Sequence, residues 1–150
     1  EAMALGDRIV VMNTARVAQV GAPRDIYFAP RTRFVAEFIG TINRLKGRMQ
    51  EDRLVVEGGS IPLPERSRSG GGGDIELFFR PEHASLVAAG QGHLQATVVA
   101  SFFMGDRTRL SIMGPADDYL TIETAGMQSF RKGQQVEVRV EPDALLRLDA

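Results

Sequence analysis

The chain has 150 residues, 43% hydrophobic and 25% charged, a balance that suits a globular protein able to bury a core. Its net charge of -1 argues against a general nucleic-acid binder, which carries a basic excess, while leaving room for a local basic patch, and the lack of cysteine excludes disulfides and thiolate metal sites. No stretch approaches the roughly 18 apolar residues that a membrane-spanning helix needs.

Glu1 to Leu5 is helix-forming, and Gly6 is placed to end it. Ile9-Val10-Val11-Met12 is an unbroken apolar run, the pattern of a strand covered on both faces as in a parallel sheet. Asn13-Thr14-Ala15 reads as a turn, with Asn13 tolerant of left-handed backbone, and Arg16 to Val20 alternates like an outer hairpin strand. Gly21-Ala22-Pro23 opens a helix, with Pro23 at a first-turn position where its missing N–H costs nothing; Pro30 ends it. Arg31 to Ile39 makes a second helix whose Phe34, Val35, Phe38 and Ile39 form one apolar face, and Gly40 caps it.

Beyond Gly40 the pattern is all β. RLKGRMQ, RLVVEG, DIELFFR, HLQATVVASFF, TRLSIM, DYLTIET and QVEVRVE are short β-branched or alternating runs separated by turn residues. That spacing predicts a small barrel or sandwich. Pro64 to Asp74 reads as a flexible surface loop, and Gly70 to Gly73 lacks the flanking strand, helix and Lys-Ser/Thr pair of a phosphate loop. In the last strand Val138 and Val140 alternate with Glu137 and Arg139, which gives it one wet face. A strand covered on both sides needs more neighbours than forty residues supply. Residues 1–40 therefore read as the edge of an α/β domain, and residues 41–150 as a β domain appended to it.

Three stretches carry a family resemblance. Glu1-Ala2-Met3-Ala4-Leu5-Gly6-Asp7-Arg8-Ile9-Val10-Val11-Met12 comes first, then Gly21-Ala22-Pro23-Arg24-Asp25-Ile26-Tyr27, then Pro30 followed by Phe34-Val35-Ala36-Glu37-Phe38-Ile39-Gly40. They resemble the end of the nucleotide-binding domain of ATP-binding cassette (ABC) importer ATPases. The β part is similar to the C-terminal regulatory domain of the same proteins, the TOBE or OB-like barrel. Arg80-Pro81-Glu82-His83 looks like its R-P-E-H/D hallmark, and Met104-Gly105-Asp106 and the ending EPDALLRL are in keeping. One departure is Thr14-Ala15-Arg16, where the family usually has x-G-R/K. The G-x-x-x-x-G-K-S/T phosphate loop, Walker B carboxylates, signature motif and switch histidine are absent from the 150 residues. By the family pattern they precede Glu1, so the chain is expected to be a C-terminal fragment.

The resemblance implies a mainly β, OB-like fold after a short α/β remnant. It implies no catalytic, cofactor or metal residue in this fragment, with ATP and Mg bound by the parent protein. It also implies a second copy of the chain and transmembrane permease subunits as partners, no nucleic acid, and a peripheral position on the cytoplasmic side of a bacterial inner membrane. Two ATPase subunits close around ATP while the barrels hold the dimer together and, in some members, receive inhibitory signals. A stand-alone oxyanion module of the molybdate type is the alternative, and residues 1–40 speak against it. The candidate motif residues are Arg80, Pro81, Glu82, His83, Gly105 and Asp106. The Arg80–His83 turn suits a structural role, with Arg80 paired inside the barrel, or a binding contact. Arg107 and Arg109 share a strand face open to solvent, an anion or a partner subunit. Within Phe78-Phe79 and Phe102-Phe103 the two rings point opposite ways, which predicts one core residue in each pair. With Met104 and Met113, the β part holds more apolar residues than one barrel interior accommodates.

Overall fold

The computed structural model describes residues 6–68, 73–126 and 128–148. The helix expected at Glu1 to Leu5 and the glycines 70–72 lie outside the described residues. The chain divides into two compact units. One reaches to Ile42 and takes in Leu148; the other is Asn43–Arg147.

In the first unit β1 (Ile9–Asn13) and β2 (Arg16–Gly21) form an antiparallel hairpin, followed by α1 (Pro23–Phe28) and α2 (Arg33–Ile39). Pro23 stands in the first turn of α1, and Thr32 caps α2 by accepting the Val35 N–H at 3.3 Å. Asn13 pairs with Arg16, so the loop is only Thr14-Ala15, and both have positive φ, 49° and 64°. That is the type I′ arrangement, whose twist matches a hairpin of right-twisted strands. Asn13, expected to be the left-handed residue, is a paired strand residue instead. The register of a two-residue loop leaves the positive φ to the residues between the pair.

The apolar run in β1 is not covered on both faces. Ile9 and Val11 pack with Ile26 and Val35. On the other face Val10 pairs with Val20 and Met12 with Val17, and these four are 54%, 40%, 52% and 58% exposed. The hairpin is antiparallel and has helices on one side only, so half of its apolar residues face outward. In α2 the buried residues are Val35 and Ala36; Phe38, expected on the apolar face, is exposed and stacks on Phe34 at 5.8 Å.

The second unit is one nine-stranded sheet. Its strands are β3 (Asn43–Gln50), β4 (Arg53–Val56), β5 (Gly59–Pro62), β6 (Gly73–Phe79), β7 (Ala84–Val87), β8 (Leu94–Phe103), β9 (Arg107–Met113), β10 (Leu120–Ala125) and β11 (Gln135–Val140). The order is β10-β9-β8-β5-β4-β3-β6, and β11 lies along both β8 and β7. Each of the seven expected runs forms a strand. β5 and β7 are additional, each four residues long. Inward residues of every strand meet in one core that includes Leu45, Leu54, Ile61, Leu77, Leu94, Leu110, Ile122 and Val138. The strand order ends at β10 and β6, and β3 lies next to the β6 end. Asn43, at the start of β3, reaches β10: its Nδ2 donates to the Thr121 carbonyl and its Oδ1 accepts the Thr121 N–H, both at 2.7 Å.

The two phenylalanine pairs depart from expectation. Phe79 is in the core, and Phe78, outside that cluster, is buried as well; Leu146 exchanges two backbone hydrogen bonds with it. Phe102 and Phe103 are both exposed, 59% and 65%. β11 pairs with β8 only as far as Thr97, Val98 is still bonded to Gly133 and Gln134, and from Ser101 to Phe103 β8 pairs with β9 alone among the described strands.

Candidate functional site

The six motif residues fall in two places. Arg80 to His83 make the turn between β6 and β7. Pro81–His83 is a single 3-10 turn, and the His83 N–H donates to the Arg80 carbonyl at 3.0 Å. The Glu141 N–H donates to the His83 carbonyl at 2.9 Å, which ties the turn to the end of β11, and β10 packs against it. Arg80 is 1% exposed, the largest fully buried side chain among the described residues. A guanidinium stays charged when buried, so a site that encloses one must supply acceptors.

Gly105 and Asp106 lie at the tip of the β8–β9 hairpin. Gly105 has φ of +96°, the Met104 N–H donates to the Arg107 carbonyl at 2.8 Å, and the Asp106 carboxylate lies 3.3 Å from Arg107. Phe102, Phe103 and Met104 precede this tip and are all exposed. Three consecutive exposed large apolar residues mark a contact surface more readily than a solvated loop. Arg107 and Arg109 do share a face, and Glu123 on β10 engages both, at 3.2 Å and 2.6 Å. Their charge is therefore partly neutralised within the sheet, which weakens the reading of an open anion site.

Sequence reasoning missed four polar residues that hold the architecture. Gln19, on the buried face of β2, donates to the Ala29 carbonyl at 3.2 Å and accepts the Arg31 N–H at 2.9 Å, fastening the connection between α1 and α2. Asn43 closes the sheet. Glu137 accepts the N–H groups of Gly90 and Gly92, each at 2.8 Å. His93 sits where β5, β8 and β11 meet: its N–H donates to the Val138 carbonyl, its carbonyl accepts from Ser60, and its Nδ1 accepts the Val140 N–H at 3.2 Å. The common signal is a polar residue at or beside an inward position of a strand.

Burial, with Arg139 and Arg53 adding to it, holds the His93 imidazole below its ordinary value of 6.5. The unfolded chain therefore takes up this proton at higher pH than the folded one. Stability from the neutral ring is complete above about pH 6.5 and is lost as the pH falls from there toward the lowered folded value. The urea midpoint is expected to fall between about pH 7.5 and pH 5.5, and His93→Gln is expected to flatten that dependence. Equal pH profiles for the two proteins would remove His93 from the joint.

Among the described residues no three His, Cys, Asp or Glu are grouped to share a metal ion. No helix of the described residues is long and apolar enough to cross a membrane.

Residues 77–148 match the TOBE domain family. The chain is 35% identical, over its full length, to the spermidine/putrescine import ATP-binding protein of Pseudomonas fluorescens, of which it covers 44%. Its identity to the protein of the same name from Borreliella afzelii is 31%, across 95% of this chain and 40% of that one. For Ruegeria pomeroyi the figures are 36%, 92% and 40%. The chain thus spans less than half the length of these curated relatives. Its β unit is a TOBE, OB-like domain. Residues 77–148 carry the TOBE match, and the chain as a whole is similar to the TOBE-bearing C-terminal part of these import ATP-binding proteins.

Proposed function

We propose that the chain contributes regulation and dimerisation to the ATP-binding subunit of an ABC importer of polyamine-like solutes. In this reading residues 1–40 complete a nucleotide-binding domain and residues 41–150 are the regulatory barrel. ATP and Mg bind to the nucleotide-binding domain, which drives permease subunits from the cytoplasmic face of the membrane. A second copy of the chain meets the barrel at the exposed Phe102, Phe103 and Met104. The Arg80–His83 turn fixes the barrel end, and Gly105-Asp106 shape the contact tip.

The observation that carries this reading is the open face of β1 and β2. Four paired apolar side chains, Val10, Met12, Val17 and Val20, face outward from a two-stranded sheet. An isolated hairpin with a bare apolar face is marginal in water and invites a covering layer. A larger α/β domain supplies that layer.

The test is a chimera in which this chain replaces the matching part of the Pseudomonas fluorescens relative. ATP-driven spermidine uptake is expected to survive the exchange, whereas the chain alone is expected not to bind ATP. Placing Thr at Val10, Met12, Val17 and Val20 of the chimera is expected to lower ATPase activity at least about tenfold, through loss of roughly 1 kcal/mol or more at each uncovered site. A folded chimera without ATPase activity, or micromolar ATP affinity in the chain alone, would sink the proposal.

A further inference from the structure

The turn that joins β7 to β8 already holds an anion. The Gly90 N–H points at Glu137 Oε2 and the Gly92 N–H at Oε1, both at 2.8 Å, so two backbone donors converge on one carboxylate. The turn is shaped for this. The Gln91 N–H donates to the Ala88 carbonyl at 3.0 Å, and Gly90 has φ of +86°, the left-handed conformation that turns successive N–H groups toward one point. Gly92 is packed on the same side chain: a Cβ there would lie 2.6 Å from Glu137 Cγ and 3.0 Å from the Val138 carbonyl. Beside the turn is a groove of about 630 Å³ whose walls include Val87, Ala89, Gln95, Phe130 and Glu137 itself. Among the described residues no Lys or Arg lines that groove. Gln95, Gln128, Gln134 and Gln135 supply side-chain amides to its walls, and Glu137 is the wall residue that bonds the Gly90 and Gly92 N–H groups, so its removal is what exposes those two donors to the groove.

We infer that the Ala88–Gly92 turn is a carboxylate receptor, that Glu137 is its resident ligand, and that small carboxylates entering the groove bind the turn when that side chain is removed. Glu137 stands opposite both Val87 and Gln95, at the fork where β11 joins β7 to β8. Its occupancy therefore fixes the connection between those two strands. An intramolecular carboxylate has an effective concentration of millimolar or higher, so weak external acids do not compete with it in the native chain.

The experiment compares the full chain with Glu137→Ala, using acetate as the probe and acetamide as its neutral counterpart. Glu137→Ala is expected to lower the melting temperature by about 10 °C, the scale of two lost charge-assisted hydrogen bonds in a domain of this size. Acetate is expected to restore part of that loss saturably, acetamide is not, and the native chain is expected to respond to neither. A folded variant that ignores acetate would overturn the inference, as would equal effects of acetate and acetamide, or an equal acetate response in the native chain. Should Glu137→Ala fail to fold, Glu137→Gln is read by amide exchange at Gly90 and Gly92. The amide group keeps one acceptor and turns a donor toward the other N–H, so protection is expected to fall at one of the two glycines. Unchanged protection at both would overturn the inference.

Discussion

Asn43→Ala is expected to open the seam of the barrel and cost about 3 kcal/mol, with two backbone groups left unpaired at roughly 1–3 kcal/mol each. Asn43 is 3% exposed, and its amide does for Thr121 what a neighbouring strand would do, one bond given and one accepted. Direct support between β3 and β10 is thin, although β10 also packs against the Arg80–His83 turn and β7. Arg44 reaches Asp118 at 3.1 Å, but Asp118 is 75% exposed, and a solvated pair contributes little. The urea midpoint reads the loss directly. A change below about 0.5 kcal/mol would mean that β3 and β10 are held together by other contacts.

Asn43→Asp sharpens the same prediction. A carboxylate accepts the Thr121 N–H as the amide does, but it then faces the Thr121 carbonyl without a proton to give. Only the protonated acid reproduces both bonds, so the folded state raises the pKa of this group above its unfolded value. Its contribution is full below the unfolded value of about 4 and is lost as the pH rises through the folded one. The deficit of Asn43→Asp relative to the native chain is therefore expected to be largest near pH 7 and to shrink on acidification. A deficit constant from about pH 7 to pH 4 would show that the second oxygen does not meet the carbonyl.

The strands visible in the sequence were those whose alternation is long enough to stand out, such as DIELFFR and QVEVRVE. β5, Gly59–Pro62, escaped because Gly and Pro take two of its four residues and leave too little alternation to read. β7, Ala84–Val87, escaped because it follows a 3-10 turn directly and has only four residues in which to alternate. Periodicity reports which residues are apolar, and neighbours decide which of them are covered. Ile9 to Met12 has the pattern of a two-sided strand, yet β1 has helices on one face only. Phe102 and Phe103 alternate as β residues should, yet β8 has outrun β11 at that point. The R-P-E-H motif was legible as a unit because its four residues form one local turn. Gln19, Asn43 and Glu137 were not, because each acts on backbone far from it, and in Asn43 the separation is 78 residues.

Gly59→Ala is expected to have the largest effect of any single substitution in the barrel, a loss of at least about 4 kcal/mol or failure to fold. β5 joins β8 through one paired position, Gly59 opposite Leu94. A Cβ on Gly59 would stand 1.9 Å from the His93 carbonyl oxygen, 3.0 Å from its carbon and 3.1 Å from Leu94 Cα. All three are backbone atoms, so no rotamer change relieves the clash, and the strands must separate. Separation breaks the bonds on either side of the joint, where Ser60 donates to the His93 carbonyl and Gln95 to the Gly58 carbonyl, each at 3.1 Å. It also moves His93, whose N–H and Nδ1 both bond β11. One methyl group thus strains three strands at once, which is why the expected loss exceeds that of an ordinary surface Gly-to-Ala change. Thermal melting by circular dichroism measures it. A melting temperature within a few degrees of the native value would mean that β5 lies farther from β8 than the paired Gly59 and Leu94 require.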